Sequence, residues 1–481
     1  MSRLSPSRWR AALTAAVVGV AVVLLPGGTA QAAPVTVDVG VQFTDTSGNL
    51  VQAHGGGVIK VGSYYYWFGE NRYADNLFKA VSVYRSTDLK TWEFRNNVLT
   101  QNSHAELRTS WVERPKVVYN ASTGQYVMWM HWENGQNYGE ARAAVAYSST
   151  VDGNYTYQGS FRPLGQHMSR DITLFKDDDG TAYMVSAARD NYDLHIYRLT
   201  ADYRGVAQLV GNPWPGGHRE APAVFKRNGV YFMLTSAATG WSPNQAKYAT
   251  ATSMAGPWSA MQNVGDSTTY GSQPAYVLPI QGTQTTSYLY MGDRWAGAWN
   301  GPVNDSSYVW LPITFPSNTS MGLSNAGQIT IDTATGTVGT VAQTYNRISV
   351  RHSGKCLDIA NASGADGAAL MQYPCGSGTN QQFRLQSAGG SYYQVIARHS
   401  NKCLDVSDAS TADGAAVVQW SCGSGQNQQW SLVDAGSGYS RLVARHSGKC
   451  LDLPGSSQDN VQFKQYACNG GQNQQFQLTR V

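Results

Sequence analysis

Cysteine is missing from the first 355 residues of the chain, which removes thiol nucleophiles and disulfide bonds from that part. Charge is scarce as well. Charged residues make up 14% of the 481, and the net charge of +4 includes three arginines that stand before residue 11, far too little to hold a polyanion such as nucleic acid. Helical periodicity is almost absent between residues 35 and 345, so a fold built on packed helices is excluded there. Among nine histidines there is no H-E-x-x-H, and neither a G-x-S-x-G nor a phosphate loop occurs, which leaves zincin, α/β-hydrolase and nucleotide chemistry without their residues. His54-Gly55-Gly56-Gly57 has the form of a lipase oxyanion loop but lacks that serine motif. Asp177-Asp178-Asp179-Gly180 begins like a calcium loop, yet it has no glutamate at the twelfth position and lies between two strand patterns, so it reads as a hairpin turn. No cofactor and no metal are signalled.

What the chain does have is distributed unevenly. Arg3, Arg8 and Arg10 precede an apolar run from Ala11 to Leu25, and Ala30-Gln31-Ala32 offers a small-x-small cleavage site. Residues 1–32 are therefore expected to be a secretory signal peptide, and the mature protein to be extracellular. The run is short for a membrane span and no other apolar stretch is long enough, so no membrane attachment is expected after cleavage. Aromatic residues reach 11%, with 14 Trp and 28 Tyr, a supply suited to stacking on the C–H faces of sugar rings.

From residue 346 to 481 the sequence repeats three times. RISVRHSGKCLDIA, QVIARHSNKCLDVS and RLVARHSGKCLDLP open the copies, and their first cysteines, Cys356, Cys403 and Cys450, recur at a constant spacing. A second cysteine follows in each, Cys375, Cys422 and Cys468, and these six are all the chain contains. Six cysteines allow 15 connectivities, but a repeated unit must repeat its bond, so pairing inside each copy is favoured, and disulfides again require an oxidising compartment. Each copy also carries an aspartate two residues after its first cysteine (Asp358, Asp405, Asp452), an aromatic two before its second (Tyr373, Trp420, Tyr466) and an Asn-Gln pair (Asn380-Gln381, Asn427-Gln428, Asn473-Gln474). An acceptor, an amide and a stacking ring are the parts of a shallow sugar site, so a threefold sugar-binding β-trefoil is expected, with up to three weak sites acting by avidity. The Gln-x-Phe/Trp element that closes each copy reads as core.

Residues 33–345 are too many to belong to that trefoil and form a second domain. Short alternating strands fill it, among them YYYWFGE, VSVYRS, QYVMWMHW, TAYMVSA, VYFMLTSA and SYLYMGDRW, separated by Gly, Asn and Asp. Several hairpins open alike, on a polar residue often followed by proline: Glu113-Arg114-Pro115, Asp171-Ile172, Glu220-Ala221-Pro222 and Gln273-Pro274. With His54-Gly55-Gly56-Gly57 these make five openings. The fold expected is all-β, a five-bladed β-propeller followed by the β-trefoil, in which the polar residue at the head of each inner strand points into one central pocket. Ser86 to Trp92 and Met254 to Trp258 read as turns between outer strands.

Glu113, Asp171 and Glu220 then converge on the channel, and paired carboxylates are the usual apparatus for cleaving a glycosidic bond. Glu220, in the apolar surround of REAPAVF, suits the proton donor, because burial raises a carboxyl pKa. The matching residue of the next blade, Gln273, has no titratable proton.

The repeats, with C-L-D, Q-[YW]-x-C and N-Q-Q-[FW], resemble the ricin-type trefoils of carbohydrate-binding module family 13. AHGGGVIKVGSYYYWFGENR, STDLKTW, VERPKVVYN, SRDITLFKDDDGTAYMVSA, EAPAVFKRNGVYFMLTS and GSQPAYVLP resemble glycoside hydrolase family 43, five-bladed propellers that invert the anomeric centre. Most of that family carries an aspartate base in the first blade, where this chain reads Ala53-His54-Gly55, a departure similar to subfamily 24, the exo-β-1,3-galactanases. That resemblance implies Glu220 as general acid, Gln273 as an unusual base in its imidic-acid form, Glu113 as the residue orienting that glutamine or the water, and Asp171 as modulator of the acid. It further implies Glu70, Tyr138, Asn191, Thr239 and Trp241 as galactose contacts and β-1,3-galactan or arabinogalactan as substrate. A monomer is expected. Two other readings stay open: an α-L-arabinofuranosidase or β-xylosidase of the same fold, and a non-catalytic sugar-binding protein.

Overall fold

The computed structural model describes residues 1–2, 33–299 and 301–481; the expected signal peptide lies outside them, apart from its first two residues. Five four-stranded antiparallel sheets follow one another along the chain, each in simple sequential order. Their inner strands are His54–Val61, Trp111–Asn120, Ile172–Lys176, Arg219–Arg227 and Gln273–Gln281. Each packs on the next, and the fifth returns to the first, which closes a five-bladed propeller. A separate sheet ties the ends of this domain together, with Val35–Asp38 paired to Gln328–Asp332 and that strand to Thr337–Thr340.

Apolar residues lie between blades as well as within them. Phe68, Val81 and Val83 of the first blade pack with Met128, Met130 and Ala144 of the second, and Trp129 and Val145 of the second with Met184 and Tyr197 of the third. Such packing leaves the inner-strand heads as the place where polar groups gather.

Those heads are built in a shared way. In the first, second and fourth blades the inner strand is irregular over its opening residues, at His54/Gly57, Glu113/Lys116 and Glu220/Ala223, and the second residue of each opening has positive φ: Gly55 58°, Arg114 53° and Ala221 52°. A β-bulge re-aims side chains that strict alternation would send to opposite faces. For Arg114 and Ala221 the left-handed conformation costs about 1–3 kcal/mol each, a strain typical of functional sites. Glycine is needed in the first blade because a Cβ at Gly56 would lie 1.7 Å from the Phe68 carbonyl oxygen. That close approach explains His54-Gly55-Gly56-Gly57 as a blade opening.

The trefoil has its own core, in which Ile348, Leu357, Phe383, Leu404, Trp430, Leu451 and Phe476 are fully buried. The disulfides are Cys356–Cys375, Cys403–Cys422 and Cys450–Cys468, one per repeat. Lys402 of the second repeat reaches back to Asp366 of the first at 2.6 Å, Lys449 to Asp413 at 2.5 Å, and Lys355 closes the circle on Asp459.

Candidate active site

At one mouth of the propeller channel Glu70, Glu113, Asp171, Asn191, Glu220 and Gln273 line a single pocket with Arg72, Arg114, His131, Tyr138, Trp241 and Trp295. Gln273 is 8% exposed and every polar position of its amide is engaged. Its Nε2 donates to Glu220 Oε1 and to Ser236 Oγ, both at 3.0 Å. Its Oε1 accepts from Trp295 Nε1 at 2.7 Å and from Arg114 Nη2.

Glu220 also accepts from Asn191 Nδ2 at 3.0 Å. Burial, reinforced by the Asp171 charge and opposed by Arg114, pushes its carboxyl up to about 8. At neutral pH it is therefore a proton donor. Asp171 is fixed by Arg114 Nε at 2.9 Å and by the Ala221 backbone N–H at 3.0 Å, so the bulge that presents Glu220 also orients the neighbouring acid.

Glu113 behaves differently. Its Oε1 accepts from Arg72 Nη2 at 2.8 Å and Tyr138 Oη at 2.9 Å, while Oε2 accepts from His131 Nδ1 at 2.9 Å. Burial opposes its ionisation, but Arg72 and His131 outweigh burial and hold it well below the ordinary carboxylate range. It makes no hydrogen bond to Gln273 among the described residues. The residue that grips Gln273 is Arg114, next to Glu113 in the chain; of the two roles expected for Glu113, orienting the glutamine or the water, the first has no direct contact here.

His131 joins Glu113 to Glu133 Oε1, 2.9 Å from its Nε2, and these two carboxylates push it up to about 9 against its burial. Glu113, His131 and Asp171 offer ligand atoms within 4.8 Å of one another. Both ring nitrogens of His131 are already hydrogen-bonded to carboxylates, Nδ1 to Glu113 and Nε2 to Glu133. In the first blade His54 is fully buried, stacked on Tyr308 at 4.8 Å and 3.3 Å from Asp293, away from the pocket lining.

Glu70 is buried with Oε2 accepting from Arg72 Nε at 2.7 Å, and burial raises its carboxyl. Trp241 packs edge-on against Trp295 at 5.4 Å, making one wall of the pocket. Thr239 is not brought in: its hydroxyl donates to the Ser242 carbonyl at 2.7 Å and accepts from Asn244, and the lining on that loop comes from Ala238, Gly240 and Trp241.

Residues 54–291 match Glycosyl hydrolases family 43, and 335–420, 387–466 and 426–481 match the ricin-type β-trefoil lectin domain. The chain is 47% identical to an exo-β-1,3-galactanase from Clostridium thermocellum over 93% of its own length and 100% of the other's, with a TM-score of 0.63. It belongs to glycosyl hydrolase family 43. An exo-β-1,3-galactanase from Phanerochaete chrysosporium, solved with galactose, is 32% identical over 93% of each chain with a TM-score of 0.63. A structure described as a putative exo-β-1,3-galactanase from Bifidobacterium bifidum is 33% identical over 60% of this chain and 96% of its own, with a TM-score of 0.55. No curated protein matches the chain.

In the trefoil of this family 43 protein, Asp358, Asp405 and Asp452 each collect the adjacent Asn and Gln side chains on one oxygen, at 2.8–3.0 Å. Burial raises all three carboxyls, that of Asp405 to about 6. Tyr373, Trp420 and Tyr466 stand 44%, 43% and 46% exposed, open to a ligand. Gln381, Gln428 and Gln474, expected both in the Asn-Gln pair of a sugar site and in the Gln-x-Phe/Trp element read as core, take the core position. Each is buried, and besides the aspartate it spends its amide on backbone groups, as Gln381 does on Gly376 N–H at 2.7 Å and Pro374 C=O at 3.0 Å.

Arg72, Arg114, His131 and Trp295 line the pocket without any motif that marks them in the sequence. Arg114 stood inside the quoted Glu113-Arg114-Pro115 opening and Trp295 at the end of the strand SYLYMGDRW, but nothing local marks a partner 159 positions away.

Proposed function

We propose that this family 43 protein is a secreted, inverting exo-β-1,3-galactanase that releases galactose from the non-reducing end of the galactan backbone of arabinogalactans. The observation that carries the reading is the pair Glu220 and Gln273: a buried carboxyl kept protonated at neutral pH, beside an amide where a second carboxylate would ordinarily stand. Whole-length likeness to galactanases, 47% identical in one case, supports the substrate. Glu220 donates its proton to the leaving oxygen, and Gln273 orients the attacking water on the other face of the ring.

Inverting enzymes need about 6.5–9.5 Å between the acid and the water-activating group. The 3.0 Å contact from Gln273 to Glu220 therefore opens when sugar enters, and the sugar takes its place. An imidic-acid form puts a proton on Oε1, the oxygen that Arg114 and Trp295 now hold, so one of these donors must turn away for Gln273 to act as a base.

Proton NMR of the first product from β-1,3-galactan is expected to show α-galactose, and Glu220→Gln to lower turnover on galactan at least a hundredfold with the fold retained. β-Galactose appearing first, or near-normal turnover by the variant, would overturn the assignment. Release of arabinose or xylose with no galactose would move the protein to the other activity of its fold.

A further inference from the structure

Propeller and trefoil meet along a cleft separate from the catalytic pocket, and two arginines lie in it, one from each domain. Arg294 ends the strand Thr286–Arg294, Arg384 lies in Phe383–Ser387, and they are 8% and 7% exposed. Arg294 donates only to backbone carbonyls, those of Tyr270 at 2.9 Å, Gly271 at 3.3 Å and Gly40 at 3.4 Å. Arg384 gives Nη1 to Gln386, and its Nε has no partner. Among the described residues neither is in a salt bridge, in contrast to Arg72 and Arg114 of the catalytic pocket.

Two further charges line the cleft, and neither forms a salt bridge with these arginines. Lys402 is paired with Asp366 at 2.6 Å, and Asp266 spends Oδ1 on the Thr268 and Tyr270 backbone N–H groups of its own turn, at 3.0 and 2.7 Å. Asp266 gives Arg294 a nearby opposite charge without a salt bridge, and Arg384 has no carboxylate partner; burial of a cation without a direct ion pair is costly, and here two guanidinium groups share one enclosure. Burial and the nearby Arg384, opposed by the Asp266 carboxylate, lower Arg294 to about 10, which keeps it charged at neutral pH.

The cleft shares a wall with the active site. Trp241 and Trp295 face the catalytic pocket, while Pro243 and Trp299, on the same two loops, face the cleft. Trp299 also lies under the trefoil: a Cβ on Gly423 would come 2.9 Å from its ring. A cleft lined by an indole ring and by guanidinium groups that have no salt-bridge partner is a place for a sugar that carries a negative charge.

We propose that this interdomain cleft binds the carboxylate of a uronic acid, using Arg384 and Arg294, and so holds an acidic branch of the polysaccharide beside the catalytic pocket. A planar carboxylate accepts two parallel hydrogen bonds from a guanidinium fork, a match that a tetrahedral sulfate ester makes less well. That the branch belongs to the chain whose end is being cleaved rests on the function proposed above; uronate binding itself does not.

Glucuronate is titrated into the full-length protein by calorimetry, with glucose as its uncharged counterpart and inorganic sulfate at matched ionic strength as competitor. Saturable binding of glucuronate that glucose does not reproduce, weakened at least tenfold in Arg384→Gln, is the expected result. Turnover of an unbranched β-1,3-galactotriose within about twofold of wild type reports that the variant is folded. Should that variant fail to fold, the wild-type comparison of glucuronate with glucose and sulfate decides alone. Equal binding of glucose, full displacement by equimolar sulfate, or unchanged affinity in a folded Arg384→Gln would each overturn the proposal. Glucuronate binding by a protein that releases no galactose would sink the galactanase reading and leave this one standing.

Discussion

Glu220 and Gln273 set the pH response of the proposed reaction. The acid must be protonated to work, and burial with Asp171 places its titration near 8. The group across from it is an amide, which does not titrate in the ordinary carboxylate range. We therefore expect kcat/KM to be level through mildly acidic pH and to fall about tenfold per unit above pH 8, with no acid limb from a catalytic base. Initial rates from pH 4 to 10 check this. A limb of unit slope near pH 5 would identify an ionising carboxylate base and displace Gln273. The same shift has a stability consequence. Because the folded carboxyl sits above its ordinary 4.5, the stability linked to its proton is complete below that value and is lost as pH rises through about 8. Glu220→Gln removes this loss, so the variant should gain about 4 kcal/mol on wild type between pH 4 and pH 8, read from urea unfolding at both. A gain equal at the two pH values would show that Glu220 is not held protonated.

Bulged strand heads account for the propeller site, and a repeated triplet of exposed rings for the trefoil. Trp420 is 43% exposed and pairs across its hairpin with Cys403, a position held by Tyr373 and Tyr466 in the other repeats. Stacking of a sugar on such a ring contributes about 1 kcal/mol, roughly fivefold in one weak site. Trp420→Ala should thus reduce retention on an immobilised arabinogalactan at least fivefold while hydrolysis of galactotriose stays within about twofold; unchanged retention would remove this repeat from binding. The strand heads were legible in sequence because a polar residue, in four of the five followed by glycine or proline, stands ahead of an aromatic-rich return strand, and the trefoil because similar motifs recur three times. The holding groups were not. Arg114 meets Gln273 across 159 residues and Arg72 meets Glu113 across 41, contacts that exist only once the blades close into a ring. Gln381, Gln428 and Gln474 carried two readings, sugar contact and core, because an amide beside a sugar-site motif has the same signature whether it faces ligand or the turn behind it.

At the scale of the molecule, every covalent cross-link is in the trefoil and none in the propeller. Each disulfide closes a loop of about 20 residues and stabilises by about 3 kcal/mol through the unfolded chain. The propeller instead depends on closure of its ring and on the sheet formed by Val35–Asp38 with Gln328–Asp332. Reduction should therefore loosen one domain alone. Dithiothreitol is expected to lower the trefoil's melting temperature and the rate on polymeric arabinogalactan, with the rate on galactotriose kept within about twofold. The contact that decides between this and a deeper coupling is Trp299 beneath Gly423, since Trp299 ends the short segment Ala296–Trp299 that directly follows Trp295, a donor to Gln273. If the galactotriose rate falls in step with the polymer rate, the trefoil is a structural support of the catalytic pocket, reaching Gln273 through that segment, and its role as a separate tether is lost.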